Sequence, residues 1–165
     1  MAQTGTSSTR ELARILQGDS GIGFSIAQIS DRENIALPLI EDSQIVTRNV
    51  AADLAEKTTS VKYPLLHVYC NKVVNNLKEK FRVFSGTAGM NIEIRVSHDR
   101  IEELESRLQL YVDAVTEVLD RNRGEWNRGM FYTGGYEVQF GAVKKGGKHF
   151  LQIAKVQFDL NISSE

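Results

Sequence analysis

Few residues of this chain could do covalent chemistry, and those few are badly placed for it. Gly18-Asp19-Ser20-Gly21 has the pattern of the serine nucleophile in trypsin-like proteases. In that arrangement the activating histidine and aspartate come earlier in the chain. Here no histidine and no room for a domain lie upstream of Ser20, so the stretch predicts a turn. His67 and Cys70 have a metal-like spacing, but zinc takes three or four protein ligands, and His98 and His149 stand far off with no second cysteine. Cys70 reads as a small buried apolar group. Asp99, Glu102, Glu103 and Glu105 cluster at the start of a helix, where carboxylates complement the positive end of the helix dipole and stay solvated. No phosphate-cradling loop or dinucleotide fingerprint occurs. The expectation is a protein without catalytic, cofactor-binding or metal-ligating residues, and not an enzyme.

Two groupings suit recognition instead. Lys144, Lys145 and Lys148 surround Gly146-Gly147 and place positive charge on a flexible hairpin tip. Such a tip is either a solvated turn or a contact for an acidic partner surface or passing DNA. Residues 126–136 hold the only tryptophan, Trp126, with Phe131, Tyr132 and Tyr136 among glycines. This aromatic loop is either a lid over the core or an anchor into a neighbouring subunit, since Trp and Tyr are enriched at interface centres. The candidate interface residues are therefore Trp126, Phe131, Tyr132, Lys144, Lys145 and Lys148.

The elements that must position them follow from periodicity. Residues 1–9 are polar and predicted to be flexible, with Thr9 capping a short helix over 10–17 that Gly18 stops. Residues 22–29 read as a strand, 30–34 as a turn, 35–39 as an edge strand or loop because of Pro38, and 48–57 as a second short helix. Leu65 to Tyr69 has strand character. Over 71–84 the four-residue spacing of Val73, Leu77 and Phe81 favours a helix, although 81–84 could be extended, and Gly86 and Gly89 mark a turn. Met90, Ile92, Ile94 and Val96 alternate with Asn91, Glu93, Arg95 and Ser97, which predicts a strand with one buried and one wet face.

The clearest helix runs from about Ser97 or Asp99 to Arg123, with Ile101, Leu104, Leu108, Tyr111, Val112, Val115, Val118 and Leu119 on one side and Gly124 as its stop. Tyr136, Val138, Phe140 and Ala142 then alternate with polar residues, and after the lysine turn a long strand over 150–162 puts Phe150, Gln152, Ala154, Val156, Phe158, Leu160 and Ile162 on one face. These arms form an antiparallel hairpin. The predicted fold is α+β: a mixed, mainly antiparallel sheet covered on one face by a long helix, with shorter N-terminal helices, in a single domain over 1–165.

Bulk properties narrow the class. The 165 residues are enough for one real core, and 41% hydrophobic with 25% charged residues is a globular composition. A balance of 20 basic against 21 acidic residues, net −1, speaks against a protein that lives on duplex nucleic acid. With one cysteine there is no intrachain disulfide, which fits a reducing compartment. No apolar run reaches membrane-spanning length, and the first residues lack a secretory pattern, so the expected location is cytoplasm, with no membrane partner.

Several stretches resemble one known family. They are Tyr63-Pro64 leading into Val68-Tyr69-Cys70-Asn71-Lys72, Glu79-Lys80-Phe81-Arg82-Val83-Phe84-Ser85-Gly86, and Glu93-Ile94-Arg95-Val96-Ser97-His98-Asp99-Arg100. Gln109-Leu110-Tyr111-Val112-Asp113-Ala114, Gly134-Gly135-Tyr136-Glu137-Val138 and Gly146-Gly147-Lys148-His149-Phe150-Leu151-Gln152 follow. Their order over 63–163 resembles the tail-terminator, or tail-completion, proteins of long-tailed bacteriophages; the first 60 residues carry little of it. The resemblance implies a structural virion protein of the tail and neck, assembled in the host cytoplasm as a homo-oligomeric ring, commonly a hexamer. Such a ring caps the head-proximal end of the tail tube, stops its polymerisation and docks the tail to the head connector, while genomic DNA passes through without sequence-specific binding. It implies no cofactor and no catalytic residue. The neighbouring readings are another neck component, a head-closure or head–tail adaptor protein, and a small nucleic-acid-binding module using the lysine tip.

Overall fold

The structure, a computed structural model, describes residues 3–51, 61–146 and 148–165. It is α+β, with a pair of N-terminal helices and a curled, mixed sheet. Helices α1 (Thr4–Gln17) and α2 (Ile22–Glu33) lead through a short 3-10 turn (Asp42–Gln44) to strand β1 (Ile45–Val46). Strands β2 (Leu65–Asn75) and β3 (Phe84–His98) form a long hairpin, followed by helix α3 (Ile101–Arg121). Short strands β4 (Gly124–Asn127), β5 (Met130–Tyr132), β6 (Glu137–Phe140) and β7 (Lys144–Gly146) lead into β8 (His149–Ser164).

The sheet runs β1-β2-β3-β8-β5-β4, with β6 and β7 also paired to β8. β1 lies parallel to β2 and the other pairs are antiparallel. β8 is the spine. One edge pairs with all of β3, from Phe84 opposite Ser164 to His98 opposite Phe150. Its other edge is shared end to end by β7, β6 and β5. At about 3.4 Å per residue the β3–β8 ladder is about 50 Å long.

The apolar stripe of α3 is as predicted for Leu104, Leu108, Tyr111, Val112, Val115, Val118 and Leu119, all buried, whereas Ile101 at its first position is exposed. The stripe meets Ile92, Ile94, Ala154, Val156 and Leu160 in one core. The helical cover is shared rather than supplied by one helix: α1 contacts β2 and β3, α3 contacts β3 and β8, and α2 packs on α3. The Tyr111 hydroxyl donates to the Pro38 carbonyl at 2.7 Å and ties the 35–40 loop to α3.

Several expectations are corrected. Helix α1 starts at Thr4, not after Thr9, because Thr4 and Ser8 are buried and small residues let it lie close to β2; a Cβ on Gly5 would sit 3.7 Å from Cys70 Sγ. Residues 22–29 are helical: Ile22, Ile26 and Ile29 recur at helical spacing and are buried, while Phe24 faces out under the Arg121 guanidinium, 5.2 Å from the ring centre. Asn34, predicted to lie in a turn, closes α2 in the left-handed conformation at φ 53°. Residues 35–39 are loop, and 48–51 are not helical; the rest of the helix predicted over 48–57 lies outside the described residues, as does Gly147.

The largest departure is over 71–89. Residues 71–75 continue β2, and Gly86 and Gly89 lie inside β3 rather than in a turn. Gly86 is required there because the Val74 carbonyl of the paired strand occupies the place a Cβ would take. The wet face predicted for β3 is also partly wrong: Asn91 and Arg95 are buried. Residues 48–50 run near this face, where the Arg95 Nη2 donates to the Val50 carbonyl. No described helix is long and apolar enough to cross a membrane.

Candidate assembly surfaces

The lysine tip is where the sequence places it. Lys144 and Lys145 pair with Leu151 and Phe150 in the β7–β8 hairpin, and Lys148 follows at the turn; all three side chains are exposed. None forms an ion pair with a described residue. The hairpin is interrupted at 141–143, where the Gly141 amide donates to the Ile153 carbonyl and the Gln152 amide donates to the Gly141 carbonyl.

The aromatic loop divides. It folds as the β4–β5 hairpin, in which alternate side chains point to opposite faces. Trp126 and Tyr132 turn inward and pack with Phe158, at ring-centre distances of 5.5 Å, 5.8 Å and 5.1 Å around the triangle. The Trp126 indole donates to the Asn122 carbonyl at the end of α3 (2.5 Å), and the Tyr132 hydroxyl to the Gly135 carbonyl (3.3 Å). Burial pushes the Tyr132 hydroxyl up to about 12. Those two residues occupy the place of a lid, whereas Phe131 and Tyr136 face out, 49% and 42% exposed.

A second apolar surface was hidden by a wrong period. The tip between β2 and β3 carries Leu77, Phe81 and Val83 outward, with Val73 beside it; Phe81 is 100% exposed. Their four-residue spacing resembles a helical stripe, yet Leu77 and Phe81 hold left-handed backbone angles, φ 47° and 65°, that no helix accommodates. The Asn75-Asn76 pair ahead of them was the available turn signal. Polar contacts fasten the tip: the Asn75 side chain accepts from the Leu77 and Ser85 amides and donates to the Val83 carbonyl, and the Glu79 amide donates to Ser85 Oγ. Arg82 bridges Glu79 and Glu165. Hydrogen bonding thus fixes the backbone of the tip and leaves Leu77, Phe81 and Val83 facing out.

The residues that could have done chemistry do not converge. His67 and Cys70 are three apart on one strand and so point to opposite faces. The His67 ring contacts the Arg48 carbonyl at 3.0 Å, and burial above all lowers its pKa. Beside it, Arg95 pairs with Glu93 at 2.8 Å, and Tyr69 is pushed up to about 12 by burial, reinforced by the Glu93 charge. Ser20 lies between α1 and α2, its carbonyl accepting from Arg121. Glu103 faces His98, Arg100 and Arg107 and Asp99 faces His98, so part of the acidic cluster is locally compensated. Among the described residues no three His, Cys, Asp or Glu side chains are grouped to hold a metal ion.

Compared with known proteins, the chain matches no protein-family profile, and no curated protein is similar to it in sequence.

Proposed function

We propose that this chain is a structural assembly subunit of the tail-terminator kind. In this reading identical copies form a ring, commonly six, on the head-proximal end of a phage tail tube, stop tube growth and dock the tail to the head connector, with DNA passing through. The observation that carries the assembly role is the apolar surface held outside the core: Phe81, Leu77 and Val83 stand in water on a hairpin tip fastened by hydrogen bonds. Exposed apolar groups grouped in this way mark interaction sites. The finer role rests on the resemblance over 63–163. The two-ended subunit suits it, with lysines at one end of the β3–β8 ladder and apolar residues at the other, as a body meeting different partners in opposite directions requires. A helix-backed sheet with open edges also offers the heterologous contact a ring needs.

The test is light scattering on the size-separated protein, followed by electron microscopy of tail tubes incubated with it. A closed oligomer seated on one tube end is expected. A strict monomer that ignores tubes would overturn the reading. Placement at another neck layer would favour a head-closure or adaptor role. The exposed Lys144, Lys145 and Lys148 support a nucleic-acid-binding alternative, which requires salt-sensitive DNA binding that disappears when all three become Ala.

A further inference from the structure

We infer that the β2–β3 tip docks onto the α2–α3 side of a second copy of this chain, making the head-to-tail contact by which copies join. The inference rests on the ring reading above and names the surfaces that would make the ring.

The donor surface is apolar and basic. Phe81 and Leu77 project from the tip, and Lys78 and Lys80 beside them form no ion pair with any described residue. An occupant must therefore offer apolar surface bordered by carboxylates. The same chain carries such a surface. Past the end of α2, Ile35 and Leu39 are exposed. Glu33, two residues before Ile35, ends α2, and the neighbouring Arg32 pairs with Glu117 of α3 at 2.7 Å. Burial first, then the Glu117 and Glu33 charges, raises the pKa of the Asp113 carboxyl, so these carboxylates group at the α2–α3 seam. The 35–40 loop is tied to α3 through Tyr111 and Pro38, and its exposed Ile35 and Leu39 follow directly on the acidic end of α2.

Two other places fit the tip less well. The open groove between α1 and β2 is bordered by Arg10, Arg14 and Lys72, with Glu11 already paired to Arg14, and would repel Lys78 and Lys80. The start of α3 has its carboxylates shared with His98, Arg100 and Arg107. Donor and acceptor surfaces lie on different elements, so the contact is heterologous and each copy keeps one free end of each kind until rotation closes the set.

This gives a test in which mixing is the readout. One variant, Phe81→Ser with Lys80→Glu, lacks a working tip but keeps the acceptor face. Another, Glu33→Lys with Asp113→Lys, lacks the face but keeps the tip. All four positions are solvent-exposed, and circular dichroism with thermal melting checks that both variants fold. The expected result is that each variant alone is monomeric, its apparent dissociation constant raised roughly tenfold or more. An equimolar mixture should form a one-to-one dimer that grows no further. If both variants keep the wild-type oligomer, the contact is elsewhere and the inference fails while the ring reading stands. If Glu102→Lys with Glu105→Lys, rather than the α2–α3 pair, yields the mixing dimer, the acceptor face is wrong and the inference fails. If the wild-type chain is monomeric at every concentration, the ring reading itself fails and takes the inference with it.

Discussion

At the scale of single residues, accessibility separates side chains that sequence alone leaves equivalent. Trp126 and Phe131 sit in one short aromatic stretch, yet the first is packed against Tyr132 and Phe158 and the second faces water. Trp126→Ala should therefore cost about 3–5 kcal/mol of stability in denaturant titration, whereas Phe131→Ala should stay within about 0.5 kcal/mol. His67 has a different signature. Burial lowers its folded pKa below the ordinary 6.5, so the unfolded chain binds the proton more readily. Its contribution to stability is complete above pH 6.5 and is lost as pH falls from there through the depressed folded value. Unfolding free energy measured across that acidic range should fall at a rate approaching at most about 1.4 kcal/mol per pH unit for this one proton. His67→Gln should remove that part of the slope.

Elements explain which parts of the fold were legible. The alternation of Met90, Ile92, Ile94 and Val96, and of residues 150–162, identifies β3 and β8 because half of each strand faces the core. The stripe from Leu104 to Leu119 identifies α3 for the same reason at a different period. Two misreadings share a cause, which is that a short window fits two periods. Ile22, Phe24 and Ile26 alternate as in a strand until Ile29 tips the pattern toward a helix, and Val73, Leu77 and Phe81 mimic a helix while lying on a hairpin. Of the candidate surfaces, the lysine tip was legible as a turn between two arms. The Phe81 tip was not, because an exposed phenylalanine looks in sequence like a core residue. Strand pairing also explains Gly86. Gly86→Ala would force a methyl group against the Val74 carbonyl, and thermal melting should show a loss of about 1–3 kcal/mol, with fraying of the β2–β3 tip in hydrogen exchange. Restoring Gly at 86 while placing Ala at the open Gly135 should be nearly neutral.

For the whole molecule, charge and apolar area act together. With net charge −1 the subunits carry little mutual repulsion, so local patches decide how copies meet. An association that combines Lys78 and Lys80 with Phe81 and Leu77 should weaken as salt rises, because exposed charges are screened over about 8 Å at physiological ionic strength, but should not vanish, because apolar contact is not screened. Sedimentation at increasing salt should show this partial loss. Complete dissociation would assign the contact to charge alone. Alkali should also act on the fold. Tyr69, Tyr111 and Tyr132 all have hydroxyls raised to about 12 against an ordinary 10.0, so the stability they contribute is full below pH 10 and is lost as pH rises through 12. Tyrosinate absorbance and unfolding should therefore appear together.

The β8 strand has a mechanical consequence. It is bonded along one side to all of β3, and the two tips lie at opposite ends of that shared ladder. A pull between the tips would load the hydrogen bonds of the ladder in shear, all at once, while a pull across it would open them singly from one end. The subunit is thus stiff along one axis and easily peeled along the other, and force-probe measurements along the two directions should give markedly different rupture loads.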